Sequence, residues 1–385
     1  MTMEKVINKK RIGIDARFYG PTRKGLGRYT QEVVDRVVAM DKENDYVIFL
    51  SHDNFDNFKY GSSNVKKVLA DIRWYTLAEQ IVFPWLIKKE KLDLMHFPHF
   101  NVPLYCSTNF IVTIHDLILT KFPTVRATTL NPVFYWFKNF AYRIVINNAV
   151  RRAKKIIAVS QFTKDDLIKQ FKVSEDKIVV TYLGIAQTFI AERNDEDVNV
   201  LKKYEIKNSY LLYVGNAYPH KNLEGLIKLF SRIKEVKGDL QLVLVGKDDY
   251  FYERVKVFAK QYNTAGKDIV FPGFPSDNDL VYFYRHALAY VFPSKYEGFG
   301  LPPLEAMSQG CPVASSNQAS MPEIFGDAAI YFNPDNEDEM VEQILKVMND
   351  IELRNILIAR GRERVKKYDW NKCAKQTLEI YNNLI

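Results

Sequence analysis

Two glutamates, Glu297 and Glu305, stand eight positions apart around the run Gly298-Phe299-Gly300-Leu301-Pro302-Pro303. Proline suits the opening turn of a helix, where its N–H would have had no partner, and Gly310 suits the residue just past a helix end. The spacing predicts a helix from Pro302 or Pro303 to Gln309, with Glu297 in the glycine-rich turn before it and Glu305 in its first turn. Such a turn presents unpaired backbone N–H groups and the positive end of the helix dipole, which suits a phosphate. A carboxylate beside it repels phosphate but accepts hydrogen bonds from hydroxyls. Phosphate donors and hydroxyl acceptors side by side point to a nucleotide sugar.

Other polar residues fall where strands end. Lys221 follows the apolar run Tyr210–Val214, with Gly215 and Asn216 between them. A lysine at a helix start is disfavoured by the dipole, and that conflict favours a functional role over a surface charge. His115 ends the run Phe110–Ile114; contact with a substrate or a bond to a neighbouring carbonyl would each account for it. The loop from Gly20 to Arg28, with Gly25 and Gly27, joins the first strand to the first helix. It suits an anion but has neither dinucleotide nor Walker spacing; a plain connector is the alternative. His96 and His99 find no further ligands, so no metal site is expected. Asp195-Glu196-Asp197 and Asp277-Asn278-Asp279 mimic a metal-binding Asp-x-Asp, but both precede helical runs and are read as N-caps.

These residues need a scaffold, and the pattern supplies one. Short β-branched runs alternate with helical periodicity in both halves, which predicts an α/β chain with two mostly parallel sheets. Strands are expected at Arg11–Asp15, Tyr46–Leu50, Leu94–His96, Phe110–Ile114 and Lys155–Val159, with helices over 29–40 and 131–153. The second half repeats this at Tyr210–Val214, Leu240–Val245, Ile269–Phe271, Ala289–Phe292 and Pro312–Ala314, with a helix over 222–236. The expected domains are 1–188 and 189–368, with a helix in 369–385 that packs back on the amino-terminal domain. Two such domains facing each other leave a cleft at the carboxyl ends of their strands.

At 385 residues the chain is too long for one ordinary core. Its three cysteines are far apart and odd in number, which argues against a disulfide framework and for a reducing compartment. Residues 1–10 lack the apolar segment of a secretory signal, and no run approaches the roughly 20 apolar residues needed to span a bilayer. A cytoplasmic location is expected. Residues 1–188 hold 29 Lys and Arg against 18 Asp and Glu, a net of +11, while the remainder has a net of −3. A basic half could meet nucleic acid, an anionic membrane surface or a phosphorylated acceptor, or serve solubility alone; of these, no nucleic-acid partner is expected. The aromatic and basic segment 134–143, followed by Arg151-Arg152-Ala153-Lys154-Lys155, offers a peripheral contact at the inner face of a membrane. A buried helix with a basic end is the alternative.

The segment Phe292–Met307 resembles the signature of retaining glycosyltransferase family 4. The likeness continues through Gly310-Cys311-Pro312-Val313, Pro322–Ala328, Tyr213-Val214-Gly215 with Lys221-Asn222, Thr113-Ile114-His115-Asp116, Val159–Thr163 and Gly25-Leu26-Gly27-Arg28. These markers follow the family's order along nearly the whole chain. The resemblance implies the GT-B fold, two Rossmann-like doubly wound domains facing across a cleft. It implies that Glu305 holds the nucleotide ribose and that Glu297 contacts the transferred sugar. The amides of Gly300 and Leu301 would face the distal phosphate, and His115 would touch the donor sugar. Lys221, with the backbone at Gly215 and Asn216, would take the place of a divalent ion, so neither metal nor cofactor is implied. The loop with Gly27 and Arg28 would shape the donor and acceptor sites.

One departure is Asn216, where the family often has a second basic residue; the diphosphate clamp is then weaker, or Arg28 assists it. The implied activity is transfer of a hexose to a hydroxyl of a glycan or lipid-linked saccharide. The segment Tyr213–Leu223 looks most like bacterial mannosyltransferases of surface polysaccharide assembly, which makes GDP-mannose the lead donor. The motif residues bind ribose and phosphate, so a UDP-sugar of glucose or N-acetylglucosamine is an alternative. A nucleotide-sugar epimerase on the same fold and a silent binding subunit are the others; the presence of Glu297, Glu305, Lys221 and His115 argues against the last.

Overall fold

The computed structural model describes residues 9–20, 24–123, 132–191, 199–206, 209–262 and 268–385. They form two compact units. The first holds the described residues up to Thr120, Val133–Gly184 and Asp369–Ile385, and the second holds Ile185–Tyr368 with the stretch that begins at Lys121. The change of unit comes between Gly184 and Ile185 rather than after residue 188, and the stretch from Lys121 goes with the second unit rather than the first.

The first unit is a seven-stranded sheet: β1 (Arg11–Asp15), β2 (Asp45–Leu50), β3 (Val65–Leu69), β4 (Leu94–Phe97), β5 (Phe110–Ile114), β6 (Lys155–Ala158) and β7 (Ile178–Val180). Their order is β3-β2-β1-β4-β5-β6-β7, and every pairing is parallel. β4 and β5 are buried throughout, which explains their unbroken apolar runs. Helix α1 (Lys24–Met40) buries Val33, Val34, Val37 and Val38, the stripe expected of a helix lying on a sheet. It starts five residues earlier than the sequence suggests, so Gly27 and Arg28 lie in helix rather than in a loop. Two further helices, α2 (Leu77–Lys89) and α3 (Pro132–Arg152), flank the sheet.

The second unit is a six-stranded sheet: β8 (Tyr210–Val214), β9 (Gln241–Val245), β10 (Ile269–Val270), β11 (Ala289–Phe292), β12 (Val313–Ser316) and β13 (Ala329–Phe332). The order is β10-β9-β8-β11-β12-β13, again with parallel pairings only. Its helices include α4 (Leu223–Lys237), α5 (Leu301–Ser308) and α6 (Met321–Phe325). The last helix, α7 (Trp370–Asn382), belongs to the first unit and packs on α1, where Arg36 Nε donates to Asn371 Oδ1 at 3.1 Å. Gly184 admits it closely: a Cβ there would stand 2.6 Å from the Trp370 ring.

In the second sheet the strand order reverses between β8 and β11. Ligands of doubly wound sheets bind beyond the carboxyl ends of the strands at such a reversal.

Candidate active site

The predicted residues of the second unit gather at that reversal. Gly215 follows β8 and stays on the sheet, its N–H donating to Val245 O at 2.9 Å. A Cβ on Gly215 would stand 2.6 Å from the Tyr213 hydroxyl, so a larger residue would not fit. The carbonyl of Asn216 accepts from the same hydroxyl at 2.8 Å. A single turn, Pro219–Lys221, follows and ends at Asn222 in the left-handed conformation, φ +58°, which asparagine tolerates better than most residues.

The loop after β11 is stitched to this turn, because Lys295 N donates to His220 O at 2.7 Å. The same loop carries Glu297, and Lys221 Nζ forms an ion pair with Glu297 Oε1. The two side chains are only 12% and 10% exposed. The hydroxyl of Ser320, fully buried at the start of α6, donates to the carbonyls of Glu297 (3.0 Å) and Phe299 (3.4 Å) and pins the loop from behind.

Gly300 caps α5 with φ +97°, and an added Cβ would lie 3.0 Å from the Phe325 ring. Pro302 and Pro303 follow Leu301 in the first turn. Of the four backbone positions that a helix start leaves without intrahelical partners, these two have no N–H to offer. The amides available for an anion are therefore those of Gly300 and Leu301. Glu305 lies in the second turn, not the first, so the dipole does little for it. It is 6% exposed, and Tyr284 OH donates to its Oε2 at 3.1 Å. Burial, and then the charge of Glu305, hold the Tyr284 hydroxyl far above its ordinary pKa, so it stays a hydrogen-bond donor.

His115, Gly27 and Arg28 belong to the first unit. His115 Nε2 donates to Pro98 O at 3.0 Å, and the ring packs edge-on against Tyr29 at 4.6 Å. Burial pushes its pKa down to about 4, opposed by the Pro98 bond. The ring is neutral at pH 7, with Nδ1 its acceptor nitrogen. Gly27 is buried in the first turn of α1, and Arg28, half-buried, opens its second. His96 is accounted for within the fold: Nδ1 is bonded to Tyr381 OH at 2.6 Å and Nε2 to Thr113 Oγ1 at 2.9 Å. Among the described residues no three His, Cys, Asp or Glu gather as a metal site.

The Asp277 segment does not cap its helix. Ser276 does, accepting from Asp279 N at 3.1 Å, while Asp279 receives Tyr204 OH at 2.7 Å and Lys203 Nζ at 3.0 Å. Asp195–Asp197 lie outside the described residues.

Residues 23–188 match the family described as Glycosyltransferase Family 4, and residues 194–364 match Glycosyl transferases group 1. The chain is 31% identical over 380 residues to O-antigen chain mannosyltransferase B of Escherichia coli, covering 94% of this chain and 96% of that protein. The chain belongs to the family 4 glycosyltransferases. This glycosyltransferase is also 28% identical to O-antigen chain mannosyltransferase RfbU of Salmonella typhimurium over 80% of its own length and 79% of the relative's. In fold it matches sucrose-phosphate synthase from Thermosynechococcus elongatus, with a TM-score of 0.78 at 18% identity over 98% of this chain and 99% of that one. Its two parallel-sheet domains are of the GT-B type.

Chemically, the site in the glycosyltransferase offers two amides for a phosphate, one ammonium, and two carboxylates for hydroxyls. Sequence reasoning missed Tyr284 and Ser320. Neither carries a local signal, because each meets its partner more than 20 residues away in sequence. It also missed that Lys221 and Glu297, 76 positions apart, meet each other.

Proposed function

We propose that the glycosyltransferase moves mannose from GDP-mannose to a hydroxyl of a growing glycan or lipid-linked saccharide, with retention at the anomeric carbon and without an obligatory metal. The observation that carries this reading is the 31% identity, end to end, with a protein named as an O-antigen chain mannosyltransferase. The geometry at the strand reversal supports the donor's pose. Glu305 accepts hydrogen bonds from the ribose hydroxyls in fork geometry. The amides of Gly300 and Leu301 take the distal phosphate. Lys221 leaves Glu297 for the diphosphate and stabilises the charge that grows there as the bond to the sugar breaks. Glu297, released, holds the sugar and favours positive charge at its anomeric carbon. The acceptor oxygen replaces the diphosphate on that carbon, its proton passes to the departing diphosphate oxygen, and GDP leaves.

Incubation with GDP-mannose and a glycan extract tests this. The expected result is GDP release with transfer, an NMR coupling that reports retained configuration, and full activity in excess chelator. Loss of activity in chelator with recovery on added magnesium would overturn the metal-free part. An epimer formed from UDP-N-acetylglucosamine without acceptor and without free UDP would favour the epimerase reading instead.

A further inference from the structure

Three buried tyrosines hold the backbone carbonyls where β8 ends. Tyr290, on β11, donates to Val214 O at 3.0 Å. Tyr252, on the helix Tyr250–Ala259 that follows β9, donates to Gly215 O at 3.0 Å and shares its proton with Val245 O at 2.7 Å. Tyr213 donates to Asn216 O at 2.8 Å. Each of the three is at most 1% exposed. Burial holds their hydroxyls well above the ordinary pKa, so each keeps its proton. Two glycines make room for them. A Cβ on Gly215 would strike the Tyr213 hydroxyl, and one on Gly246 would stand 2.2 Å from Gly215 O and 2.3 Å from the Tyr252 ring.

Each tie fixes two groups, because a trans peptide points its C=O and its N–H in opposite directions. β8 lies between β9 and β11. The Val214 carbonyl faces β11, so the next N–H, that of Gly215, faces β9 and donates to Val245 O. The Gly215 carbonyl faces Tyr252 and Gly246 on the β9 side, so the N–H of Asn216 is turned to the β11 side. That side is the crevice where the strand order reverses. The Asn216 carbonyl faces Tyr213 in the core, so the N–H of Ala217 is turned away from the core. Among the described residues neither of these two N–H groups has a hydrogen-bond partner. Ala217 is only 7% exposed, and a buried backbone N–H left without a partner is rare. Successive backbone N–H groups turned outward make an anion-binding concavity.

We propose that Tyr252 and Tyr213 are positioning residues, which turn the amides of Asn216 and Ala217 onto the donor's diphosphate. The amides supply there what the neutral side chain of Asn216 does not. The proposal rests on the donor pose above and goes beyond it, since both tyrosines lie in the core and act only through the backbone they hold. Amides fixed in advance need no reorganisation as charge grows on the leaving diphosphate.

Calorimetry with GDP and with guanosine on Tyr252→Phe, Tyr213→Phe and Tyr290→Phe tests the proposal. Each change removes one buried hydroxyl and keeps the ring, so a merely structural role predicts three like results. Orientation predicts a split. The N–H opposite the Val214 carbonyl is already spent on Val245, so Tyr290→Phe should leave GDP affinity unchanged. Tyr252→Phe and Tyr213→Phe should each weaken GDP binding about tenfold, the low end for one hydrogen bond to a charged group, with guanosine affinity and circular dichroism unchanged. A second readout needs no variant: in the unaltered enzyme the amide proton resonances of Asn216 and Ala217 should move downfield with GDP and stay put with guanosine. Equal GDP affinity in all four proteins, an equal loss in all three variants, or amide resonances indifferent to GDP would overturn the proposal. UDP and uridine, run alongside, keep the choice of base from deciding the result. If neither diphosphate binds the unaltered enzyme more tightly than its nucleoside, the donor pose itself fails, and the proposal with it.

Discussion

Replacing Glu297 with glutamine should make the enzyme bind GDP more tightly while it turns over less. Lys221 is paired with Glu297, and both side chains are nearly buried, so salt screens the pair weakly. At about 4 Å and an effective dielectric near 20, two unit charges attract by about 4 kcal/mol. A diphosphate must draw Lys221 away against that attraction, and GDP brings no sugar hydroxyls to satisfy the carboxylate left behind. Glutamine keeps the shape of the side chain and removes its charge, which frees the ammonium in advance. The full 4 kcal/mol is an upper bound because residual hydration offsets part of it; a gain of about tenfold, or about 1.4 kcal/mol, is expected. Turnover should fall by roughly a hundredfold or more, the usual loss when one charge-stabilising group is removed. The reverse change, Lys221→Met, leaves Glu297 buried and alone at a cost of about 3–5 kcal/mol. It should lower the melting temperature by roughly 6–20 °C, and adding Glu297→Gln should restore stability but not GDP affinity. Calorimetry with GDP, a transfer assay and thermal unfolding read these three quantities. Unchanged or weaker GDP binding in Glu297→Gln would refute the claim that Lys221 must change partners.

Two further outcomes follow. Glu305→Ala should weaken GDP binding by about a hundredfold, since two charge-assisted hydrogen bonds to ribose are worth about 1.5 kcal/mol each or more; equal affinity in calorimetry would remove Glu305 from the site. Stability should fall between pH 6.5 and pH 5, because burial holds His96 and His99 down to about 3 and His115 to about 4. Their unfolded forms protonate near 6.5, so below that pH the unfolded state binds more protons and stability rises with pH. The contribution is whole above 6.5 and lost toward 3–4; for the fully buried His96 the loss at pH 5 is roughly 2 kcal/mol. Urea midpoints at pH 7 and pH 5, with His96→Asn as the comparison, measure it, and a flat profile would contradict the assignment.

Central strands were the most legible part of the fold. Phe110–Ile114, Tyr210–Val214 and Ala289–Phe292 lie where their apolar runs put them, because burial on both faces leaves little choice of residue. β3 went unread: Val65-Lys66-Lys67-Val68-Leu69 is an edge strand with two lysines and no fully buried residue. α2 was hidden by Pro84 inside it and by apolar residues on both of its faces, which erase helical periodicity. The start of α1 was masked by Gly25 and Gly27, which read as loop residues yet occupy its first turn. Within the site, the turn–proline–helix grammar of 297–310 was readable, and Gly310 does lie just past the helix end at φ +74°. Glu305 falls in the second turn because Leu301, not proline, opens the helix, one or two residues earlier than expected. Pairs such as Lys221–Glu297 and Tyr284–Glu305 are set by which strands are neighbours, and no local pattern reports that.

A crystal structure with GDP-mannose bound would test the central claim most directly. The nucleotide should lie beyond the carboxyl ends of β8 and β11, both ribose hydroxyls within about 3.2 Å of the Glu305 carboxylate, the distal phosphate on the Gly300 and Leu301 amides, and Lys221 turned from Glu297 to the diphosphate. A nucleotide seated elsewhere, or a ribose out of reach of Glu305 with the Lys221–Glu297 pair still closed, would contradict it.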